Sequence, residues 1–388
     1  MTTTINNKHK NIKVPNLRFP EFQGEWEKSK LSDLCTFFSG GTPSSSNKDF
    51  YGGDIAFIRS GELHADSTEL FITQDGYDNS SAKKVEIGDL LLAMYGATSG
   101  DIAVSKIRGA INQAILCIRT NQNKKFIESV WNKHVSKILR KYLQGGQGNL
   151  SADIVKGISF SFPTLEEQER IANLISLLDE RIATQSKIID KLQSLIKGIV
   201  DCTILRKEKN AIVGVVCSIS EQIRAEANID DIITVRLHGN GVCKSSAENL
   251  QLGATQYYRR RAGQLIYGKQ NFHNGAIGIV PISLDNGITS KDIPSFDIDE
   301  MKCNSVYLLA QLQSPQYYKP AEALTTGTGS KRLREETFLK MPIVLPNKRE
   351  QDNIAVLIHR ASMNLDHAKR LLELLSIQKQ YLLRQMFI

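Results

Sequence analysis

The sequence has no apolar run approaching the ~18 residues that a membrane span requires, and its opening, MTTTINNKHKNIK, has no hydrophobic stretch of a secretory signal. We therefore expect a cytoplasmic protein with no membrane partner. The six cysteines (Cys35, Cys117, Cys202, Cys217, Cys243 and Cys303) are scattered without a C-x-x-C pair. That spacing argues against both a disulfide framework and a zinc site, leaving buried reduced thiols as the expectation.

Catalytic signatures are also missing. No two prolines adjoin, so the Asn/Asp-Pro-Pro-aromatic motif of a base-methylating enzyme cannot occur. Gly263 to Lys269 comes close to the spacing of a phosphate-binding loop, but Gln270 follows where a magnesium-binding hydroxyl is needed. Leu265-Ile266-Tyr267 inside that stretch reads as strand. The zinc-deaminase pattern is absent. Glu300-x-Lys302, with Asp285 or Asp292, is too short a fragment to indicate a nuclease. We expect no catalytic residue, bound cofactor or metal in this chain.

What is present is positive charge. The chain has 388 residues, a formal net charge of +8 and 41% hydrophobic residues, with a pI near 9.0. The apolar content suits two or three globular domains, and the basic excess favours an acidic partner, nucleic acid before anionic membrane.

The chain is also written twice. FPTLEEQERIA, from Phe162, returns as LPNKREQDNIA, from Leu345. An offset of 183 maps Pro163 to Pro346, Glu167 to Glu350, Gln168 to Gln351, Ile171 to Ile354 and Ala172 to Ala355. It also maps Leu150 to Leu333, Asp153 to Glu336 and Ile158 to Met341. A weaker echo at an offset of 175 pairs GDLLLAMYGATSGDIAV, from Gly88, with GQLIYGKQNFHNGAIGIV, from Gly263.

Each strong repeat opens with a capping box, Thr164-x-x-Glu167 and Asn347-x-x-Glu350. A heptad seam follows: Ile171, Ile175, Leu178, Ile182, Gln185, Ile189, Leu192, Ile196 and Ile199. The second copy runs Ile354, Ile358, Ala361, Leu365, Ala368, Leu372, Leu375, Lys379 and Leu382. A 3.5-residue period is that of helices packed side by side, and each seam needs a partner of similar length. The other repeat supplies one. Lys379 is an unusual seam residue, expected at a helix end or a partner contact.

Between the helices lie blocks of β-branched and aromatic runs separated by glycine-rich turns, with helical pattern from Phe126 to Leu143, which reads as mixed α/β. The expected layout is a first recognition domain over 14–162, a helix over 163–206, a second domain over 207–345 with a soft start near 210, and a helix over 346–388.

The opening VPNLRFPEFQGEWEKSKLSDL, the turn GGTPSSSNKDFYGG, the segments GDLLLAMYGATSG and NQAILCIR, and the doubled P-x-x-x-EQ-x-x-IA together resemble a type I restriction–modification specificity subunit. The second block lacks a copy of the RFPEF-x-GEW opening. The resemblance implies a dumbbell: two α/β target-recognition domains separated by an antiparallel pair of long helices, with an internal pseudo-two-fold repeat. It implies that each domain reads half of a split site in double-stranded DNA, while helix length sets the unread spacing. Partners would be two methylation subunits and the restriction/translocation subunits, to which S-adenosylmethionine, ATP and magnesium would belong. A coiled-coil adaptor without a DNA role, or a stand-alone nucleic-acid-modifying enzyme, are the competing readings.

Base edges are read by Arg, Lys, Asn and Gln, and phosphates are also held by Ser, Thr and backbone N–H groups. On that basis the first domain offers Thr42, Ser44, Ser45, Tyr95, Thr98, Ser99, Gln147 and Asn149. The second offers Tyr257, Tyr258, Arg259, Arg260, Arg261, Lys269, Gln270, Asn271, Ser330, Lys331 and Arg332. The runs YYRRR and TGTGSKRLR carry the strongest signal.

Overall fold

The structure, a computed structural model, describes residues 13–143, 149–245, 255–327 and 331–388. Gln147 and Ser330 lie outside the described residues. The chain is mixed α/β and divides into two compact units, Met1–Thr184 with Leu372–Ile388, and Gln185–Leu371.

The first unit carries β1 (Glu27–Lys30), β2 (Cys35–Ser39), β3 (Tyr51–Ile58), β4 (Lys83–Val85), β5 (Leu90–Ala93), β6 (Ile102–Val104), β7 (Gly109–Ile111), β8 (Ile115–Thr120), α1 (Lys124–Leu143) and β9 (Ser159–Phe162). One antiparallel sheet has the order β2-β8-β5-β6. A second places β3 and β7 side by side in parallel, with β4 on the far side of β7. The first sheet is covered on both faces, which is why its central strands read as unbroken apolar runs, LLLA and ILCI. Alternate residues go to opposite sides. Leu90, Leu92, Leu116 and Ile118 pack with Phe126, Ile127 and Trp131 of α1. Leu91, Ala93, Ile115 and Cys117 pack with Ile58, Val85 and Ile111 of the second sheet.

The second unit repeats this plan with β10 (Cys217–Ile219), β11 (Tyr257–Arg259), β12 (Leu265–Tyr267), β13 (Ile277–Ile279), β14 (Ile288–Ser290), β15 (Ser295–Ile298) and α3 (Ser305–Leu312). Its sheet order, β10-β15-β12-β13, matches β2-β8-β5-β6 strand for strand. The weaker echo is therefore structural. Leu90 faces Val104 and Leu92 faces Ile102 in the β5–β6 hairpin; 175 positions later Leu265 faces Ile279 and Tyr267 faces Ile277. Gly88 and Gly263, both at φ +88, occupy the same turn, where the left-handed backbone favours glycine. Their N–H groups donate to Ser105 and Val280, at 2.8 and 2.9 Å.

The strong repeats form α2 (Leu165–Val200) and α4 (Lys348–Met386). All eighteen seam positions are buried or half-buried, while their neighbours on the outer faces are exposed. Within the second unit Gln185 meets Ala368, whereas Ile199 and Val200 pack near Ile354 and Ile358, so the helices run antiparallel. Ala361 and Ala368 are 6% exposed, small enough to let the backbones approach. Lys379 is neither a frayed end nor free: its Nζ lies 2.5 Å from Asp179, which Lys125 also binds at 2.8 Å.

The doubled Glu-Gln explains how each helix start is fixed. Thr164 and Asn347 cap their helices by accepting from the N–H groups of Glu167 and Glu350, at 3.4 and 3.0 Å. Gln168 and Gln351 are fully buried. Gln168 accepts from the N–H of Asn123 at 3.1 Å and donates to Pro163 O at 3.0 Å. Gln351 does the same to Asn304, at 2.9 Å, and to Pro346, at 2.8 Å. Asn123 and Asn304 in turn cap α1 and α3. One glutamine thus bolts the start of a long helix to the start of a domain helix, in both units.

The glutamates differ. Glu167 is 1% exposed; its carboxylate accepts from Arg18 at 2.7 and 2.8 Å and from the Trp26 indole at 3.3 Å. The first unit's RFPEF-x-GEW opening supplies both donors. The second unit lacks that opening, and there Glu350 turns to the solvent-exposed Lys207.

Candidate nucleic-acid interface

In the first unit, one end of the β2-β8-β5-β6 sheet gathers four loops: the segment after β2, the β5–β6 turn, the turn before β8, and the chain near Asn149. Thr42 Oγ1 donates to Gln113. The N–H of Met94 donates to Ala114 O at 2.7 Å, and Met94 O accepts from Leu150 N at 3.0 Å and from the Ser99 hydroxyl at 2.9 Å. Tyr95 and Asn149 are exposed and Thr98 is half-buried around that hub. Ser44 and Ser45 are exposed on the Thr42 loop, Ser44 bonded to Ser46 at 2.8 Å. Close packing fixes the loop: a Cβ on Gly41 would lie 1.9 Å from Ser81 Oγ, and one on Gly40 1.8 Å from Ile111 O. Thr42, Tyr95, Thr98, Ser99 and Asn149 are thus brought to one polar rim, whose β5–β6 turn also carries Asp101, paired with His64 at 3.0 Å.

The equivalent rim of the second unit follows β12. Gln270, Asn271 and Arg332 are exposed. Arg332 reaches Asp292 at 3.2 Å. The backbone of Lys269 donates to Asp292 O and accepts from Leu333 N, both at 2.9 Å. Gln270, Asn271, Ser290, Asp292 and Thr234 line a small cleft of about 200 Å³. Lys331 is exposed and 3.5 Å from Glu322. Lys269 itself is mostly withdrawn, its Nζ 2.7 Å from Glu335 with only 11% of the side chain exposed. Its expected role as a free DNA contact is thereby corrected to an internal ion pair.

The YYRRR run requires a larger correction. Only Tyr257–Arg259 is strand, β11, and Arg260 and Arg261 follow it in irregular backbone. Tyr257 is 6% exposed and Arg260 0%, which removes both from any surface contact. Arg260 occupies the position that Val85 fills in the first unit. Its guanidinium donates to Thr289 (2.7 Å), Ser295 (2.9 Å) and Ile293 O (2.9 Å); burial pushes its pKa down to about 10. Tyr258 is half-buried. Arg259 and Arg261 are exposed, but they precede β12 and share a cleft with Glu221, Asp297 and Glu300. Lys269 and Gln270 follow the same strand. The arginines therefore stand at the opposite end from the rim.

Asn112, Gln113, Thr234 and Ser290 were not singled out from the sequence, and Asp292 was weighed only as part of a nuclease fragment. No local motif marks them; the antiparallel connections bring them to the rim. The fragments with enzyme-like spacing have structural roles. Lys302 pairs with Asp299 at 2.8 Å, Asp285 accepts from Ala262 N at 2.8 Å, and β12 occupies the middle of the Gly263–Lys269 stretch. Among the described residues no group of three or more His, Cys, Asp or Glu side chains could hold a metal ion, and no helix is long and apolar enough to cross a membrane.

Residues 23–194 match the family model for the type I restriction modification DNA specificity domain. The chain is 26% identical over 182 residues to the type I restriction enzyme MjaIX specificity subunit of Methanocaldococcus jannaschii, a match covering 43% of this chain and 42% of that protein. The first relatives are thus matched over less than half their length. The MjaVIII specificity subunit of the same organism is 20% identical over 386 residues, 90% of this chain and 88% of that one. A type I restriction–modification S subunit structure from M. genitalium shares the fold, with a TM-score of 0.65 at 13% identity over 97% of this chain and 99% of that one.

Proposed function

We propose that the chain, whose residues 23–194 match the type I restriction modification DNA specificity domain, is the DNA-reading subunit of a type I restriction–modification complex. One observation carries the reading. The same four-stranded sheet, with the same hairpin register, occurs twice in one chain, and each copy presents a chemically different polar rim at the same end. Two like frames with unlike rims suit two half-sites of different sequence. We assign 14–162 and 207–345 as target-recognition domains and the helices over 163–206 and 346–388 as the spacer. Gln270, Asn271 and Arg332 are base- or phosphate-contacting candidates in the second domain, and Thr42, Tyr95, Thr98, Gln113 and Asn149 in the first.

In this reading the chain itself catalyses nothing. S-adenosylmethionine would be held by two methylation subunits, and ATP and magnesium by restriction/translocation subunits, in the cytoplasm. The outer helix faces support protein partners. Leu177 on α2 and Leu374, Ile377 and Tyr381 on α4 are exposed in the first unit, and Ile188 and Leu195 on α2 with Val356, Leu357 and Met363 on α4 in the second. Such apolar stripes outside the seam mark association surfaces.

The test is co-expression with a methylation subunit, followed by mapping of methylated adenines. A split motif is expected. Exchanging the second unit's rim residues for those of a relative should change one half of that motif only. Methylation at unsplit or random sites would refute the reading.

A further inference from the structure

The two units differ in one respect that their shared plan does not explain. Helix α1 has twenty residues and carries six lysines and arginines against one glutamate. Its counterpart α3, begun by the equivalent asparagine cap, has eight residues and no charge at all. Three of the α1 lysines, Lys133, Lys137 and Lys141, recur every fourth residue and so stand in a row along one face, about 6 Å apart. Lys137 and Lys141 line a cleft of about 610 Å³, together with His134 on α1, Lys28 on β1, and Ser159 and Ser161 on β9. No carboxylate side chain among the described residues lines it, although Ile388 does, with its backbone oxygen 3.0 Å from His134 Nε2. Lys28, Lys137 and Lys141 are exposed and have no ion-pair partner among the described residues.

The positive field in the cleft is felt by the groups inside it. Burial lowers the pKa of His134, and the charges of Lys133 and Lys137 lower it further, against a 3.0 Å hydrogen bond to Ile388 O that raises it. Burial also lowers that of Lys133. No anionic side chain among the described residues faces Lys28, Lys137 and Lys141 across the cleft.

We propose that this cleft is a second DNA-contacting surface, unique to the first unit, which grips backbone phosphates beside the half-site that unit reads. The proposal rests on the DNA-reading function above and adds to it an asymmetry: one domain holds the duplex by its rim alone, the other by rim and cleft. Duplex DNA fits better than an acidic protein. The cleft walls are mainly lysine amines and serine hydroxyls; of the apolar and aromatic residues there, Ile138, Ile158 and Phe160 are only 8%, 8% and 6% exposed, Ile388 is half-buried, and the half-buried Tyr142 ring lies 4.9 Å from Lys141 Nζ, a site already taken by a cation. Protein interfaces centre on exposed apolar or aromatic anchors, whereas DNA interfaces are polar and strongly positive.

The test uses the full chain assembled with its methylation subunit. Lys28→Gln, Lys137→Gln and Lys141→Gln are combined in one variant, and the matched triple change to Arg is the control. The Gln variant should weaken binding to cognate and random duplexes by the same factor and leave the preference between them unchanged. Its log–log salt slope should shrink by about 0.9 for each phosphate released, or about 2.7 in all. Hydroxyl-radical protection should disappear beside one half-site only, and the Arg variant should behave as wild type. An unchanged slope, or protection lost equally at both half-sites, overturns the proposal. Failed assembly of the Gln variant overturns it in favour of a protein surface. If the wild-type complex shows no site preference, the DNA-reading function itself fails; if wild type keeps its preference while the variant's slope does not move, only the cleft assignment fails.

Discussion

Gln185 donates its side-chain amide to the carbonyl of Ala368 at 3.0 Å, and these two residues, 183 apart, are each other's equivalents in the repeat. The seam's polar level on α2 therefore meets its own small counterpart on α4. The Ala368 carbonyl already has its place in the helix ladder, so the amide adds a bond without rescuing an orphan. Gln185→Leu should consequently change stability by under about 1 kcal/mol. Ala368→Leu forces extra bulk into a level closed by the glutamine and should cost about 1–3 kcal/mol. Urea midpoints of the two variants check the contrast; equal losses would mean the glutamine is not what fills the level.

The two glutamates of the doubled Glu-Gln make opposite predictions. Arg18→Ala leaves the Glu167 carboxylate buried with only the Trp26 indole, a change of the kind that costs about 3–5 kcal/mol. Lys207→Ala removes a partner from Glu350, whose side chain is 41% exposed, and should cost under about 1 kcal/mol. Thermal unfolding of both variants gives the comparison. A large loss from Lys207→Ala would show the second helix start to be anchored as tightly as the first.

Much of this was legible in the sequence because it depends on periodicity. The 3.5-residue seam gives the long helices, and the apolar runs flanked by glycine give the strands. Even the weak 175-residue echo corresponds to an identical hairpin register, since Gly88 and Gly263 fix the turn that sets it. The site was less legible because charge was read without burial. Five consecutive residues, YYRRR, looked like one surface, yet Tyr257 in β11 and Arg260 just beyond its end are both buried. Lys269 looked free because its partner, Glu335, lies sixty-six residues away. Gln113 and Asp292 reach the rims through sheet connections that no local pattern encodes.

Burial of Arg260 alters what the arginine run should do for DNA binding. Neutralising Arg259 and Arg261 removes two exposed cations set at the far end of β12 from the rim. If the rim is the reading surface, the salt slope changes by well under the ~0.9 expected for each phosphate contact, and site preference stays intact. Gln270→Ala with Asn271→Ala should instead leave the slope nearly unchanged and reduce discrimination in one half-site, by about 1–3 kcal/mol for each bidentate pairing to a base edge that the substitutions remove. Competition binding against single-base variants of the site distinguishes the two. A slope that falls by nearly two with the arginine pair would return the run to the DNA surface.

The lysine in the heptad seam gives the structure a pH dependence of known sign. Asp179 is bound by Lys125 at 2.8 Å and Lys379 at 2.5 Å. Burial alone would raise its pKa, but hydrogen bonds from both lysines hold it below the ordinary carboxylate range. A carboxylate whose pKa is lower folded than unfolded stabilises in full above its unfolded value, about 3.9, and that contribution is lost as pH falls through the folded value. Asp179→Asn should therefore be less stable than wild type by about 1–2 kcal/mol near neutral pH, allowing for side chains 27–28% exposed. The gap should hold constant from about pH 5 upward, narrow below about pH 4, and close once wild-type Asp179 is itself protonated. Urea unfolding of both proteins across that range measures it. A gap that persists in acid would assign the loss to packing and not to charge, and Lys379 would then be a tolerated seam residue with no part in holding the helices together.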